Sequence, residues 1–152
     1  MLIATEIPVL WRLANTRDMP ALIEIERASM GMPWTPGEIE EELDKPLSRF
    51  WVAEWGGRLA AFGIHWFVVG EAQLANIAVH PDFRRQGLGK KMMMWLLEDA
   101  RSAGMEKMTL EVRTGNVAAH GLYLQLGFVE TCRRPRFYEN QDEAILMERD
   151  LK

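Results

Sequence analysis

Asn76-Ile77-Ala78-Val79-His80-Pro81-Asp82-Phe83-Arg84-Arg85-Gln86-Gly87-Leu88-Gly89-Lys90 is an apolar run that enters a proline-bearing turn. It then meets two arginines and a Gly-x-Gly at the head of a long amphipathic segment. The first amides of a helix lack intrahelical partners and sit at the positive end of its macrodipole, so such a start attracts anions. Gly87 and Gly89 carry no Cβ, which lets a phosphate approach the backbone and permits the φ values of an anion-binding nest. Arg84, Arg85 and Lys90 add charge and donors. A tight strand-to-helix turn explains a bare Gly-x-Gly equally well, so the rest of the chain has to decide. Two common phosphate loops do not fit. A Walker loop needs Ser or Thr after its lysine, and Lys91 follows Lys90. A Rossmann fingerprint needs a third glycine where Met92 stands.

Working outward, Ala72–Val79 reads as the strand feeding this loop, with Gly70-Glu71 as the turn before it. Leu59 to Val69 and Phe50 to Glu54 are two more strands, joined at Gly56-Gly57. Short turns make these three antiparallel neighbours. Upstream, Thr35-Pro36-Gly37-Glu38 is a capping box for a helix to about Leu43. Thr16-Arg17-Asp18 starts an earlier helix, whose apolar residues are Leu22, Ile23, Ile25 and Ala28. Val9 to Leu13 is a short first strand. Downstream, the helix from about Gly87 to Ala103 presents Leu88, Met92, Trp95, Leu96 and Ala100, and Gly104 stops it. Lys107 to Val112 is a strand, parallel to 72–79 because a helix joins the two. Asn116 caps a helix to Leu126, with Gly127 as its stop, and Phe128–Arg134 and Glu143–Leu151 are the last strands. The order β-α-α-β-β-β-α-β-α-β-β implies an α/β protein with a mixed sheet and helices on both faces, in one domain over residues 1–152.

Composition narrows the function classes. A chain of 152 residues with 48% apolar and 26% charged residues can bury a sizeable core. Eighteen basic against 22 acidic side chains give a net charge of −4, which argues against general nucleic-acid binding. A lone cysteine, Cys132, forms no intrachain disulfide and suits a reducing compartment, and three scattered histidines do not suggest a metal site. No apolar run reaches membrane-spanning length, and Glu6 and Pro8 interrupt any signal-peptide layout. The expectation is a cytoplasmic protein with no metal.

Arg84-x-x-Gly87-x-Gly89 resembles the pyrophosphate loop of the GNAT N-acetyltransferases, and the element order is similar to the GNAT fold along nearly the whole chain. Further stretches carry the likeness. They are Asn76-Ile77-Ala78-Val79, Leu110-Glu111-Val112-Arg113-Thr114-Gly115-Asn116, Leu122-Tyr123-Leu124-Gln125-Leu126-Gly127-Phe128, Pro33-Trp34-Thr35 and Ala144-Ile145-Leu146-Met147. Together they resemble the RimI-like subgroup, whose members acetylate the N-terminus of a small-subunit ribosomal protein. The resemblance implies acetyl-CoA as cosubstrate, with pantetheine along Ile77, Ala78 and Val79. Its pyrophosphate would lie over Arg84, Arg85, Gln86, Gly87, Leu88, Gly89 and Lys90, and Asn116 would reach the pantetheine arm. Trp34 and Tyr138 would face the acceptor, a protein N-terminus, although the stretch from Phe137 to Ala144 looks shorter than the family's loop.

The chemistry asks for particular groups. An α-amine is mostly protonated at neutral pH and must lose a proton before it attacks a thioester. Glu111 matches the family's base, and alternation sets it opposite Leu110 and Val112; a solvated strand carboxylate is the bland alternative. Tyr123 matches the acid that protonates the departing thiolate; its alternative is a core tyrosine. A backbone N–H near Ile77 would meet the oxyanion. Capping alone would also explain Asn116. His65, His80 and His120 read as surface histidines, Cys132 as a buried or edge thiol, and the arginines at 133, 134 and 136 as a solvated strand end or a contact for an acidic partner. Acetylation of a small amine or a lysine, and a non-catalytic acyl-CoA-binding domain, stay open as alternatives.

Overall fold

The computed structural model describes residues 8–135 and 142–152. It contains seven strands and four α-helices in the expected order: β1 (Val9–Leu13), α1 (Met19–Ser29), α2 (Pro36–Asp44), β2 (Ser48–Trp55), β3 (Arg58–Val68), β4 (Glu71–Val79), α3 (Leu88–Ser102), β5 (Lys107–Arg113), α4 (Val117–Gln125), β6 (Val129–Arg134) and β7 (Ala144–Asp150). The strands form one mixed sheet in the order β1-β2-β3-β4-β5-β7-β6. By their contacts the described residues fall into two compact units. One runs up to Ile64 and includes Asn76–Met92; the other holds His65–Ala75 and the chain from Met93 onward.

In the first unit β1 and β2 pair antiparallel, from Val9↔Trp55 to Leu13↔Trp51. Arg12 on β1 donates to Asp18 (2.8 and 2.7 Å) and to Glu54 (2.9 and 2.6 Å), and so fastens this edge to the start of the helical layer. The Arg12 bonds hold the Asp18 carboxyl below the usual range. The helix start expected at Thr16 is a 3-10 turn, capped by Asn15 and Asp18 in a capping box, and α1 begins only at Met19, with Pro20 in its first turn. Proline is tolerated there because it removes an amide that has no partner anyway. Thr35 and Glu38 form the expected capping box of α2, each side chain accepting the other's backbone N–H at 3.1 Å. Leu22, Ile25, Ile39, Phe50, Val52, Phe62, Leu88 and Met92 are buried.

In the second unit, β5 pairs parallel with β4 over three residues only, Glu71↔Lys107 to Gln73↔Thr109. On its other side it pairs antiparallel with β7 along its whole length. β6 adds to β7, with an irregularity between Glu130 and Cys132. Period-two alternation buries Met108, Leu110 and Val112 on one face, together with Ile145 and Met147. α3 ends as expected at Gly104 (φ 85), and α4 at Gly127 (φ 90), where the Phe128 N–H closes on Tyr123 O at 3.0 Å. Trp95, expected on the buried face of α3, is only half-buried, whereas Met93 and Leu97 are buried beside Leu96.

Candidate active site

The first unit holds the expected cofactor loop. β4 ends at Val79, and His80 closes it. The His80 N–H donates to Ala60 O (2.8 Å), and its Nδ1 accepts the Asp82 N–H (3.0 Å). With Nδ1 an acceptor, Nε2 carries the proton and donates to Glu24 Oε1 at 3.0 Å. The surface reading of His80 is therefore wrong: it is buried, and it shapes the turn. Arg84 donates from Nε to Val79 O (3.1 Å) and from Nη2 to Ala28 O (3.3 Å) and Ser29 Oγ (3.1 Å). These bonds tie the loop to the end of α1.

Beyond Arg84 the backbone leaves a run of amides without a partner among the described residues. Arg85 (φ 64) and Gly87 (φ 76) are both left-handed, and Gly87 O accepts the Lys91 N–H at 3.0 Å to begin α3. The amides from Arg85 to Lys90 make no hydrogen bond to any described residue. A run of such donors at a helix start is an anion nest. Gly87 needs its glycine for conformation. Gly89 does not: a Cβ there would make an ordinary 3.7 Å contact with Val79 Cγ2.

Trp34, half-buried, follows Pro33 in the α1–α2 connection, and its N–H donates to Glu26 Oε2 at 2.8 Å. Ile77 and Val79 are half-buried and Ala78 is buried on β4.

In the second unit, Glu111 projects from the face of β5 opposite Leu110 and Val112, directly across from Leu146 on β7. Its side chain is 32% exposed, and Oε1 lies 3.9 Å from Arg134 Nη1. It lines an open groove of about 240 Å³ together with Gln73, Leu74, Thr109, Thr131 and Glu148, at the place where the β4–β5 ladder ends. Asn116 caps α4, its Oδ1 accepting the Ala119 N–H at 3.2 Å, while its amide NH₂ has no protein partner among the described residues. Tyr123 on α4 is buried, edge-on to Phe128 at 5.8 Å between ring centroids. Burial pushes its phenol up to about 12, so the hydroxyl stays protonated at any physiological pH. Tyr138 lies outside the described residues.

The acetyltransferase (GNAT) family profile matches residues 19–128. The chain belongs to the GNAT acetyltransferases. The [ribosomal protein bS18]-alanine N-acetyltransferase of Escherichia coli K12 is 36% identical over 136 residues, 88% of this chain and 91% of its own length. The corresponding enzyme of Salmonella typhimurium LT2 is 36% identical over 143 residues, 89% and 93% of the two chains. The crystal structure of the ribosomal-protein-S18-alanine N-acetyltransferase from E. coli superposes with a TM-score of 0.89 at 32% identity, covering 95% of each chain. The GNAT chain is thus an N-acetyltransferase whose cosubstrate is acetyl-CoA. Among the described residues no three His, Cys, Asp or Glu side chains gather as a metal site would require, and no helix is long and apolar enough to cross a membrane.

Several polar residues of this GNAT chain stand where local pattern does not put them. His65 is fully buried, with Nε2 2.8 Å from Asp99 Oδ2, and not at the surface. Its place inside the apolar run 59–69 is the one sequence signal of that burial. His120 is half-buried, with Nε2 3.0 Å from Glu130 Oε1 but outside hydrogen-bond geometry. Cys132 is exposed on the edge strand β6. Of the arginine run, Arg133 forks onto Glu130 (3.2 and 3.0 Å), and Arg134 approaches Glu111. Glu26 is a buried carboxylate whose phase, one turn after Leu22 and beside Ile25, places it in the apolar stripe of α1.

Proposed function

We propose that this chain is a single-domain protein Nα-acetyltransferase whose acceptor is the free N-terminus of a small-subunit ribosomal protein, in the cytoplasm. The observation that carries the reading is the run of amides at 85–90 that bond no described residue, in a chain 36% identical to a bS18-alanine N-acetyltransferase over 88% of its length. The amides of Arg85, Gln86, Gly87, Leu88, Gly89 and Lys90 would hold the pyrophosphate, helped by the Arg85 and Lys90 cations, with Arg84 fixing the loop. Ile77, Ala78 and Val79 would line the pantetheine, and the amide NH₂ of Asn116 would reach it. Trp34 and Tyr138 would face the acceptor.

In the reaction, Glu111 takes a proton from the acceptor ammonium, directly or through one water. The freed amine attacks the thioester carbon, the oxyanion is met by a backbone N–H near Ile77, and the C–S bond breaks. Tyr123 then supplies hydrogen-bond or proton donation to the leaving thiolate. A thiol of pKa ~8.5 against a phenol of about 12 makes full transfer uphill by about 5 kcal/mol. The proton must therefore move while the C–S bond breaks and be restored at once from solvent. Tyr123→Phe should lower kcat by roughly 10²-fold with little change in acetyl-CoA affinity. The wild-type rate should show no alkaline fall up to pH ~10, because the phenol is still protonated there; a falling limb between pH 8 and 10 would assign the acid to another group.

Thiol release measured with peptides bearing free or blocked N-termini tests the function itself. Turnover confined to free N-termini supports it. Equal turnover after blocking shifts the acceptor to lysine or a small amine, and acetyl-CoA binding without turnover makes the domain a sensor.

A further inference from the structure

We propose that Glu26 is a positioning residue for the acceptor side of the reaction, a reading that rests on Trp34 facing the acceptor. Glu26 is 1% exposed, and its two oxygens go to two different parts of the first unit. Oε2 accepts the Trp34 N–H at 2.8 Å, and Oε1 accepts from Asn76 Nδ2 at 2.9 Å. One buried carboxylate therefore joins the α1–α2 connection to the first residue of the Asn76-Ile77-Ala78-Val79 segment of β4. At that depth no solvent donor can replace either bond.

The two ends of this tether are not equally dependent on it. Asn76 lies inside β4, whose backbone is held in the sheet whatever its side chain does. Trp34 lies in the connection between two helices, where its N–H has this side-chain acceptor and, among the described residues, no backbone one. Loss of Glu26 should therefore loosen the Pro33-Trp34-Thr35 segment and leave β4 in place. Two neighbouring bonds show that α1 is used in this way along its length. Glu24 takes the His80 imidazole, and the Ala28 carbonyl takes Arg84, so residues 24, 26 and 28 hold residues 80, 76 and 84. The His80 and Arg84 bonds fix the cofactor turn without Glu26, which is why its removal should spare the cofactor.

Glu26→Leu keeps the side chain's bulk in a buried site and removes both acceptors. Glu26→Gln keeps one acceptor for Trp34 and can meet a flipped Asn76 amide. In the full-length enzyme Glu26→Leu should raise the KM for a free-N-terminus peptide about tenfold or more, with kcat at saturating substrates and the acetyl-CoA Kd within about twofold. Glu26→Gln should recover most of the loss. The Trp34 amide should also exchange with solvent about tenfold faster in Glu26→Leu than in wild type, as measured by NMR. An unchanged peptide KM in a folded Glu26→Leu enzyme, or a parallel drop in acetyl-CoA affinity, overturns the proposal. If wild type itself turns over no such peptide, the proposed function fails and the amide exchange alone judges the tether: an unaltered Trp34 rate ends it.

Discussion

Glu111→Gln should lower kcat for a free-N-terminus peptide at pH 7 by about 10²-fold or more, the usual range for loss of a positioned base. Gln is isosteric and cannot accept the ammonium proton, so the acceptor must arrive already neutral. An α-amine of pKa ~7.9 is about one-tenth deprotonated at pH 7 and almost wholly so at pH 9, so the variant should regain about eightfold over that interval. A lysine ε-amine of pKa ~10.4 would gain about a hundredfold over the same two units. The slope of the residual rate thus reports the acceptor class as well as the role of Glu111. Unchanged rates across the profile would remove Glu111 from the chemistry and leave it as the partner of Arg134, 3.9 Å away.

Gly89→Trp should abolish measurable acetyl-CoA binding in calorimetry. Each amide-to-phosphate bond is charge-assisted, and losing two of them corresponds to ~3–6 kcal/mol, more than a hundredfold in Kd. The informative control is Gly89→Ala. Its added methyl meets only Val79 Cγ2 at an ordinary 3.7 Å, and Gly89 has no left-handed φ to lose. Affinity in Gly89→Ala should stay within about threefold of wild type. A Trp variant with normal affinity would put the nucleotide away from the nest.

Both predictions concern residues that the amino-acid sequence marks out by its local pattern. Gly87 and Gly89 stand out because short-range rules govern them: an apolar strand, a proline turn and a helix start leave few backbone paths. The Thr35–Glu38 capping box and the helix stops at Gly104 and Gly127 are readable for the same reason, since each is satisfied within a few residues. Where local pattern misleads, the partner is distant in sequence. Asn76 meets Glu26 across 50 positions and His65 meets Asp99 across 34, so nothing near either residue announces the bond. The period-two pattern sets Glu111 opposite Leu110 and Val112, but it cannot bring Arg134 beside it, because that depends on the registers of β5 with β7 and of β7 with β6.

Short-range chemistry is therefore enough for the element order, the glycine-bearing turn at 84–90 and the face on which Glu111 stands. Each follows from steric and hydrogen-bonding limits that act over one or two turns of chain. Folding alone settles that Arg84 braces the loop, that His80 and Glu26 are buried anchors, and that the β4–β5 ladder stops after Gln73 beside the Glu111 groove. Buried polar groups take whichever partner packing delivers, because leaving them unpaired costs more than any local preference gains.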